Sequence, residues 1–184
     1  VSLADVRGNG MYGTYFVNAD LTGGSVTQLD ANINFNWGTA APLASGVIPA
    51  NSFSVRWSGL IRPVFSELYT FYVLADDVVR VYVDNTLIID RWNSTSGVEY
   101  AGTYLMTGNV IFDIKVEYAD CADAAYVTLS YSSPSTPKGV KDVIPNSVLF
   151  PTLDLLSLAT YCGGRTTIDS CATNSKVNGA GLTI

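Results

Sequence analysis

Apolar and polar side chains alternate along most of residues 53–131, and this period of two is typical of β-strands with one buried face. In residues 53–61 the odd positions are mainly apolar, whereas Arg56 and Ser58 occupy the other face. Further strands, separated by polar turns, are predicted at 68–74, 79–83, 87–89, 110–118 and 127–131. Short strands at this spacing favour an all-β fold, an antiparallel β-sandwich or barrel.

Two of these segments carry more specific information. Residues 68–74 are apolar on both faces, which predicts a central strand buried on both sides. Asp84 and Asn85 lie between two predicted strands and are typical of a tight turn, so this segment is expected to form a β-hairpin.

The composition changes beyond Phe150, where a Leu-rich stretch precedes Gly-, Ser- and Thr-rich sequence. We therefore predict one domain over residues 1–150 and a linker or extension over residues 151–184. The sequence starts at Val1 without a leader pattern and is interpreted as a piece of a larger protein. No apolar run approaches the roughly 18 residues of a transmembrane helix.

The charged residues restrict the chemistry. The chain has no histidine, and its sixteen Asp and Glu against ten Lys and Arg give a net charge of −6. The lack of histidine excludes imidazole catalysis and His-ligated zinc, and the acidic balance argues against nucleic acid as a partner. No pair of carboxylates forms a recognisable glycosidase motif, so we expect a protein that is not an enzyme. Oxygen ligands remain, which suit Ca²⁺ or Mg²⁺.

The three cysteines and the low lysine content indicate a secreted, extracellular or cell-surface protein. Cys162 and Cys171 flank a Gly-Gly pair and can close a small disulfide loop. Cys121 is then the odd cysteine, interpreted either as a small buried apolar side chain or as one whose partner lies outside this sequence. Asn93 begins an N-glycosylation sequon, which is consistent with a glycoprotein.

A series of motifs over about residues 10–150 resembles the PA14 domain, a β-sandwich found in adhesins, flocculins and glycosidases. The first and last matching segments resemble the opening and closing strands of that domain. The matching segments are 10–16, 35–38, 53–59, 69–72, 76–77, 80–84, 89–92 and 143–150. A shorter segment, residues 175–182, is similar to the first strand of a filamin-type immunoglobulin-like repeat, which implies that such a repeat follows.

Asp76 and Asp77 are adjacent carboxylates directly after a predicted strand. Neighbouring residues of a strand point to opposite faces, so both can contact one ion only if the backbone between them is unusual. The resemblance to lectin-like PA14 adhesins implies a cis peptide between the two residues, and one Ca²⁺ bound by both. Val78 stands where many members have glycine. The alternative is a solvated turn with two acidic residues.

The same resemblance implies a third calcium ligand from the loop after residues 110–118. The matching position is Asp120, with Asp123 as the alternative, and the backbone carbonyls of Ala122 and Ala124 complete the implied set. Because Ca²⁺ takes 6–8 oxygen ligands, positions remain for two vicinal hydroxyls of a sugar.

Aromatic and amide side chains near this loop extend the implied ligand site. Trp92, Trp37 and Asn93 are candidates for stacking or hydrogen bonding to a sugar, although both tryptophans fall in segments that shape the fold. The implied function is a Ca²⁺-dependent, lectin-like carbohydrate-binding module of an adhesion or cell-surface protein, with glycans and other domains of the same protein as partners. The alternative is a structural or protein-interaction domain of an extracellular assembly, with at most a stabilising Ca²⁺.

Overall fold

A computed structural model describes residues 7–93, 97–136 and 140–151. The strands in these ranges are β1 Met11–Phe16, β2 Ser25–Asp30, β3 Asn34–Gly38, β4 Ser54–Ile61, β5 Glu67–Asp76, β6 Val78–Val83, β7 Thr86–Arg91, β8 Glu99–Met106, β9 Phe112–Ala119, β10 Ala125–Ser132, β11 Asp142–Val143 and β12 Leu149–Phe150. The predicted disulfide of Cys162 with Cys171 and the filamin-like segment 175–182 lie outside the described residues. The described part contains no helix with the length and hydropathy of a transmembrane span.

The strands form two antiparallel sheets, so the predicted all-β sandwich is confirmed. The seven-stranded sheet has the order β2-β1-β4-β9-β6-β7, with β12 paired to β4 beside β1. The five-stranded sheet has the order β11-β10-β5-β8, with β3 also paired to β10. The predicted domain boundary near residue 150 coincides with the end of β12 but stays a prediction.

The core lies between the sheets and follows the alternation of the sequence. In β4 the inward side chains of Val55, Trp57 and Ile61 are almost fully buried.

The carboxylate of Asp30 also lies in this core. The buried carboxylate of Asp30 accepts hydrogen bonds of 2.7 Å from Tyr15 Oη, Trp57 Nε1 and Gln28 Nε2. These contacts satisfy its oxygens, as a buried carboxylate requires.

The expected hairpin is present, because β6 and β7 pair around a two-residue turn at Asp84 and Asn85. Both residues have positive φ, 48° and 58°, as a type I′ turn requires.

Two predictions need correction, and two strands were missed. The strand over residues 68–74 is central, between β10 and β8, but only one of its faces is buried: Leu68, which faces outwards, is 50% exposed. Strands β2 and β8 lie outside every predicted strand and every matched segment. The closing segment 143–150 is not one strand, since a 3₁₀ turn at Asn146–Val148 separates β11 from β12.

Candidate functional site

The two adjacent aspartates lie where the chain passes from one sheet to the other. Asp76 is the last residue of β5, in the five-stranded sheet, and Val78 is the first of β6, in the seven-stranded sheet. The Asp76–Asp77 peptide bond is cis, as the resemblance implied, and Val78 does not prevent it. The backbone N–H of Asp77 donates to Ala119 O at 3.4 Å, which connects the pair to the end of β9.

The loop after β9 brings a third carboxylate to the pair. Asp120 is 0% exposed, and its backbone N–H donates to Phe53 O at 3.0 Å. Its Oδ2 accepts a hydrogen bond of 3.2 Å from the backbone N–H of Ser52. Its Oδ1 is buried and has no hydrogen-bond partner among the described residues. An unpartnered carboxylate oxygen in a buried position is costly unless a ligand compensates it.

Cys121 continues this loop and binds it to the aspartate pair. Its N–H donates to Asp77 Oδ2 at 2.7 Å, and its carbonyl accepts from Ser52 Oγ at 3.0 Å. The side chain is exposed, and within the described residues it forms no disulfide. The interpretation of Cys121 as a buried apolar side chain was therefore wrong, because the loop needs its backbone groups and leaves the side chain at the surface.

The carboxylates of this region act on one another electrostatically. Burial raises the pKa of Asp76, and the charge and hydrogen bond of Asp77 and the charge of Asp123 add to it. Burial also raises the pKa of Asp120 to about 6; the hydrogen bond from Ser52 opposes this shift, and the charges of Asp77, Asp76 and Asp123 reinforce it. Such a cluster favours a bound cation.

The donor set fits a hard divalent cation in chemistry, and Asp120 provides a buried oxygen that no described residue hydrogen-bonds. Within residues 7–93, 97–136 and 140–151, however, no three Cys, Asp or Glu side chains already converge as a closed metal site. Ala122 and Ala124 lie in the same loop, and Asp123 between them has a φ of 70°.

The predicted flanking residues differ in their surroundings. Trp37 packs against Phe35 and Phe53, with ring centroids 4.9 and 5.5 Å apart, so it belongs to the packing of the fold. Trp92 follows β7, and the guanidinium of Arg80 lies 4.1 Å from its ring centroid. Asn93 is exposed beside it.

Two residues of the site were not predicted from the sequence. Ser52 contacts Asp120 and Cys121 through its N–H and hydroxyl, and no sequence pattern marks it. Tyr118 donates its hydroxyl hydrogen to Asp76 O. The alternation in β9 shows that Tyr118 points inwards, but it does not show this partner.

The sequence model of the family described as PA14 domain matches residues 8–143. The chain is 39% identical over 144 residues to anti-sigma-I factor RsgI3 of Acetivibrio thermocellus, which covers 78% of this chain and 22% of that protein. The chain thus spans about a fifth of the length of this relative.

Solved structures show the same fold. A structure of an anti-sigma factor domain-containing protein from Clostridium clariflavum has a TM-score of 0.72 and 40% identity, over 79% of this chain and 48% of that chain. The PA14 sugar-binding domain from an RTX adhesin has a TM-score of 0.61 and 19% identity, over 79% of this chain and 99% of that chain.

Proposed function

This chain belongs to the PA14 domain family, and we propose that it is a carbohydrate-binding module that holds its ligand through a calcium ion. The observation that carries the proposal is Asp120 Oδ1, which lies buried beside Asp76 and Asp77 and has no hydrogen-bond partner in the part of the chain that the structure describes. The adhesin domain named as sugar-binding supports the choice of ligand, since it shares the fold over almost all of its own length.

The residues that would hold the ion are the carboxylates of Asp76, Asp77 and Asp120 and the carbonyls of Ala122 and Ala124. Three ionised carboxylates carry a charge of −3. One bound divalent cation reduces this charge to −1 and so relieves the repulsion among them. Cys121 and Ser52 fix this constellation, because Cys121 N–H positions Asp77 and Ser52 N–H positions Asp120.

A calcium ion supplies coordination positions that two neighbouring hydroxyls of a sugar ring can occupy. Trp92 and Asn93 follow the strand that pairs with β6, so we place them at the edge of the sugar site. A shallow site of this kind binds weakly, and its strength comes from repeated display. We propose binding without catalysis, at an extracellular or cell-surface location.

A structural or protein-interaction role is the second candidate. Two similar proteins are named as anti-sigma factors, and these names point to regulation rather than adhesion, which favours the second candidate. The part that matches this chain is 22% of one of these proteins and 48% of the other. In this role the aspartates would hold at most a stabilising ion, and no sugar would bind.

Calorimetric titration of the chelator-treated protein with Ca²⁺ tests the metal site. We expect saturable binding, weakened about tenfold or more in Asp76→Asn because a ligand charge is lost. Asp142→Asn is the matched control, because Asp142 is remote from the site. It lies on β11 and pairs with Tyr131 of β10, whereas Asp76 pairs with Tyr126, five residues earlier on the same strand. No saturable heat with the wild-type protein would refute the proposal.

A glycan array read in Ca²⁺ and in EDTA separates the two functions. Carbohydrate binding that EDTA removes, and that Asp76→Asn lacks, supports the lectin-like module. Saturable Ca²⁺ binding without any bound glycan supports the structural or protein-interaction domain instead.

A further inference from the structure

The outer surface of the seven-stranded sheet carries three cations around one carboxylate. Arg56 Nε lies 3.0 Å and Lys115 Nζ 3.9 Å from Glu117 Oε1, and Arg80 Nη2 lies 2.9 Å from Glu117 Oε2. The carboxylate is almost fully buried beneath them, whereas the side chains of Arg56, Arg80 and Lys115 are 38%, 27% and 39% exposed. We name these four residues the Glu117 face.

The Glu117 face has a surplus of positive charge. Its three cations, of the ten in the chain, meet one carboxylate, which leaves a charge of +2 in a protein whose net charge is −6. Two further carboxylates flank this face, so the excess of positive charge is confined to its four residues: Asp90 lies opposite Arg80 in the β6–β7 register, and Asp113 lies two residues before Lys115 on the same side of β9. Arg80 Nε is buried without a hydrogen-bond partner among the described residues.

The cations are held in a row across adjacent strands. Arg56, Glu117 and Arg80 are directly opposite one another in β4, β9 and β6. With neighbouring strands about 4.8 Å apart, the row from Arg56 to Arg80 extends roughly 10 Å over a sheet surface. Aromatic rings fix the side chains: Arg80 lies over Trp92 at 4.1 Å and Lys115 over Tyr82 at 3.9 Å.

We propose that the Glu117 face is a second binding surface and that it takes an anionic glycan. Its carboxylate or sulfate groups pair with Arg56, Arg80 and Lys115, and a polymer with a charge on successive sugars engages more than one of them at once. The choice of a glycan rests on the proposed function, whereas the charge recognition does not. This surface needs no metal, so its binding does not depend on an ion at Asp76 and Asp77, although Trp92 borders both sites.

Binding of oligomannuronate to the purified protein in EDTA tests the proposal. We expect binding that weakens as NaCl rises from 20 to 200 mM, because exposed charges are screened at the higher salt, and no binding of neutral mannan oligosaccharide of equal length. A sulfated mannan oligosaccharide shows whether carboxylate or sulfate is preferred, and tight binding of either supports the surface.

Substitutions locate the binding. Lys115→Gln is expected to weaken oligomannuronate binding about 2- to 5-fold, and the double variant Arg56→Gln with Lys115→Gln about 10-fold. Lys141→Gln is the matched control, because Lys141 pairs with Glu99 and lies over Tyr72 of the five-stranded sheet. Removal of Arg56 disturbs Glu117, so the melting temperature of each variant is measured. If the double variant proves to be unfolded, the result for Lys115→Gln decides the test.

Three outcomes would overturn the proposal. The first is unchanged binding in Lys115→Gln. The second is binding that appears only with Ca²⁺, which would assign it to the aspartate site. The third is equal affinity for polyglutamate, which would indicate an acidic protein partner. Failure of the proposed function looks different, because neutral glycans would then fail to bind in Ca²⁺ while oligomannuronate still bound in EDTA.

Discussion

Asp120 is an ionisable side chain in a position that the fold almost closes to solvent. Its exposure is 0%, it accepts one hydrogen bond, from Ser52, and three other carboxylates act on it. A neutral amide keeps the acceptor for Ser52 and removes the charge. We therefore expect the ionised side chain to lower the stability of the metal-free protein.

We predict that Asp120→Asn makes the metal-free protein more stable at pH 7.5, by about 1 kcal/mol. The pKa of Asp120 is raised from 3.8 to about 6 in the folded chain. The folded chain thus binds more protons between these values, and its stability falls as pH rises through them. The advantage of the variant should shrink at pH 5, where the wild-type carboxyl is mostly protonated.

Denaturant unfolding in EDTA at both pH values measures this effect, with Asp142→Asn as the control for a lost surface charge. Added Ca²⁺ should stabilise the wild type more than it stabilises Asp120→Asn, because the variant lacks one ligand charge. A variant that is less stable than the wild type at pH 7.5 in EDTA would show that the carboxylate is satisfied without a metal.

At the scale of the elements, the β6–β7 hairpin depends on backbone geometry at its turn. Asp84 and Asn85 both have positive φ, and Tyr104 Oη donates to Asp84 Oδ2 at 3.1 Å. We predict that Asn85→Val destabilises the fold by about 1–2 kcal/mol, since a β-branched side chain is strained at this φ. Asn85→Gly should lose much less.

Thermal unfolding compares the two variants, with Leu87→Val as a control in the exposed part of β7. The control should stay within about 0.5 kcal/mol of the wild type. Equal losses in Asn85→Val and Asn85→Gly would mean that side-chain contacts of Asn85, and not its backbone angle, stabilise the turn.

The elements also show what the sequence could predict. Strands β4, β6, β7, β9 and β10 were predicted because a buried face alternates with a polar one. Strand β8 lacks this contrast, because Gly102 occupies an inward position where a Cβ would lie 2.3 Å from Ile88 O. Leu105 on its outer face is 70% exposed. The distribution of apolar residues therefore did not indicate which face of β8 is buried.

The candidate site could be predicted only in part. Asp76, Asp77 and Asp120 were identified through motif order, and the passage from β5 to β6 and the pairing of β6 with β9 bring them together. Ser52 could not be predicted, because its N–H to Asp120 is a backbone group that any residue except proline offers. The Glu117 face was missed because the alternation of β9 assigns Glu117 to the solvent side, although the sheet buries it under three cations.

At the scale of the molecule, the start and end of the described chain close the same part of the seven-stranded sheet. Gly8 N–H donates to Ser147 O at 2.9 Å, and Asn9 and Gly10 N–H donate to Leu149 O at 3.0 and 3.1 Å. Leu149 of β12 is 1% exposed and pairs with Ile61 of β4. Residues after the end of the family match at 143 are therefore part of the sandwich.

We predict that a chain ending at Val143 is destabilised by at least about 3 kcal/mol, because it loses the buried side chains of Ile144, Leu149 and Phe150. It also leaves Arg62 N–H without Val148 O, its acceptor at 2.9 Å. A chain ending at Pro151 should keep the melting temperature of the full sequence within a few degrees and bind Ca²⁺ equally well. Calorimetry of the three chains measures this difference. A loss of stability on ending at Pro151 would move the domain boundary into residues 152–184, whereas a stable chain ending at Val143 would show that β12 is not needed to close the sheet.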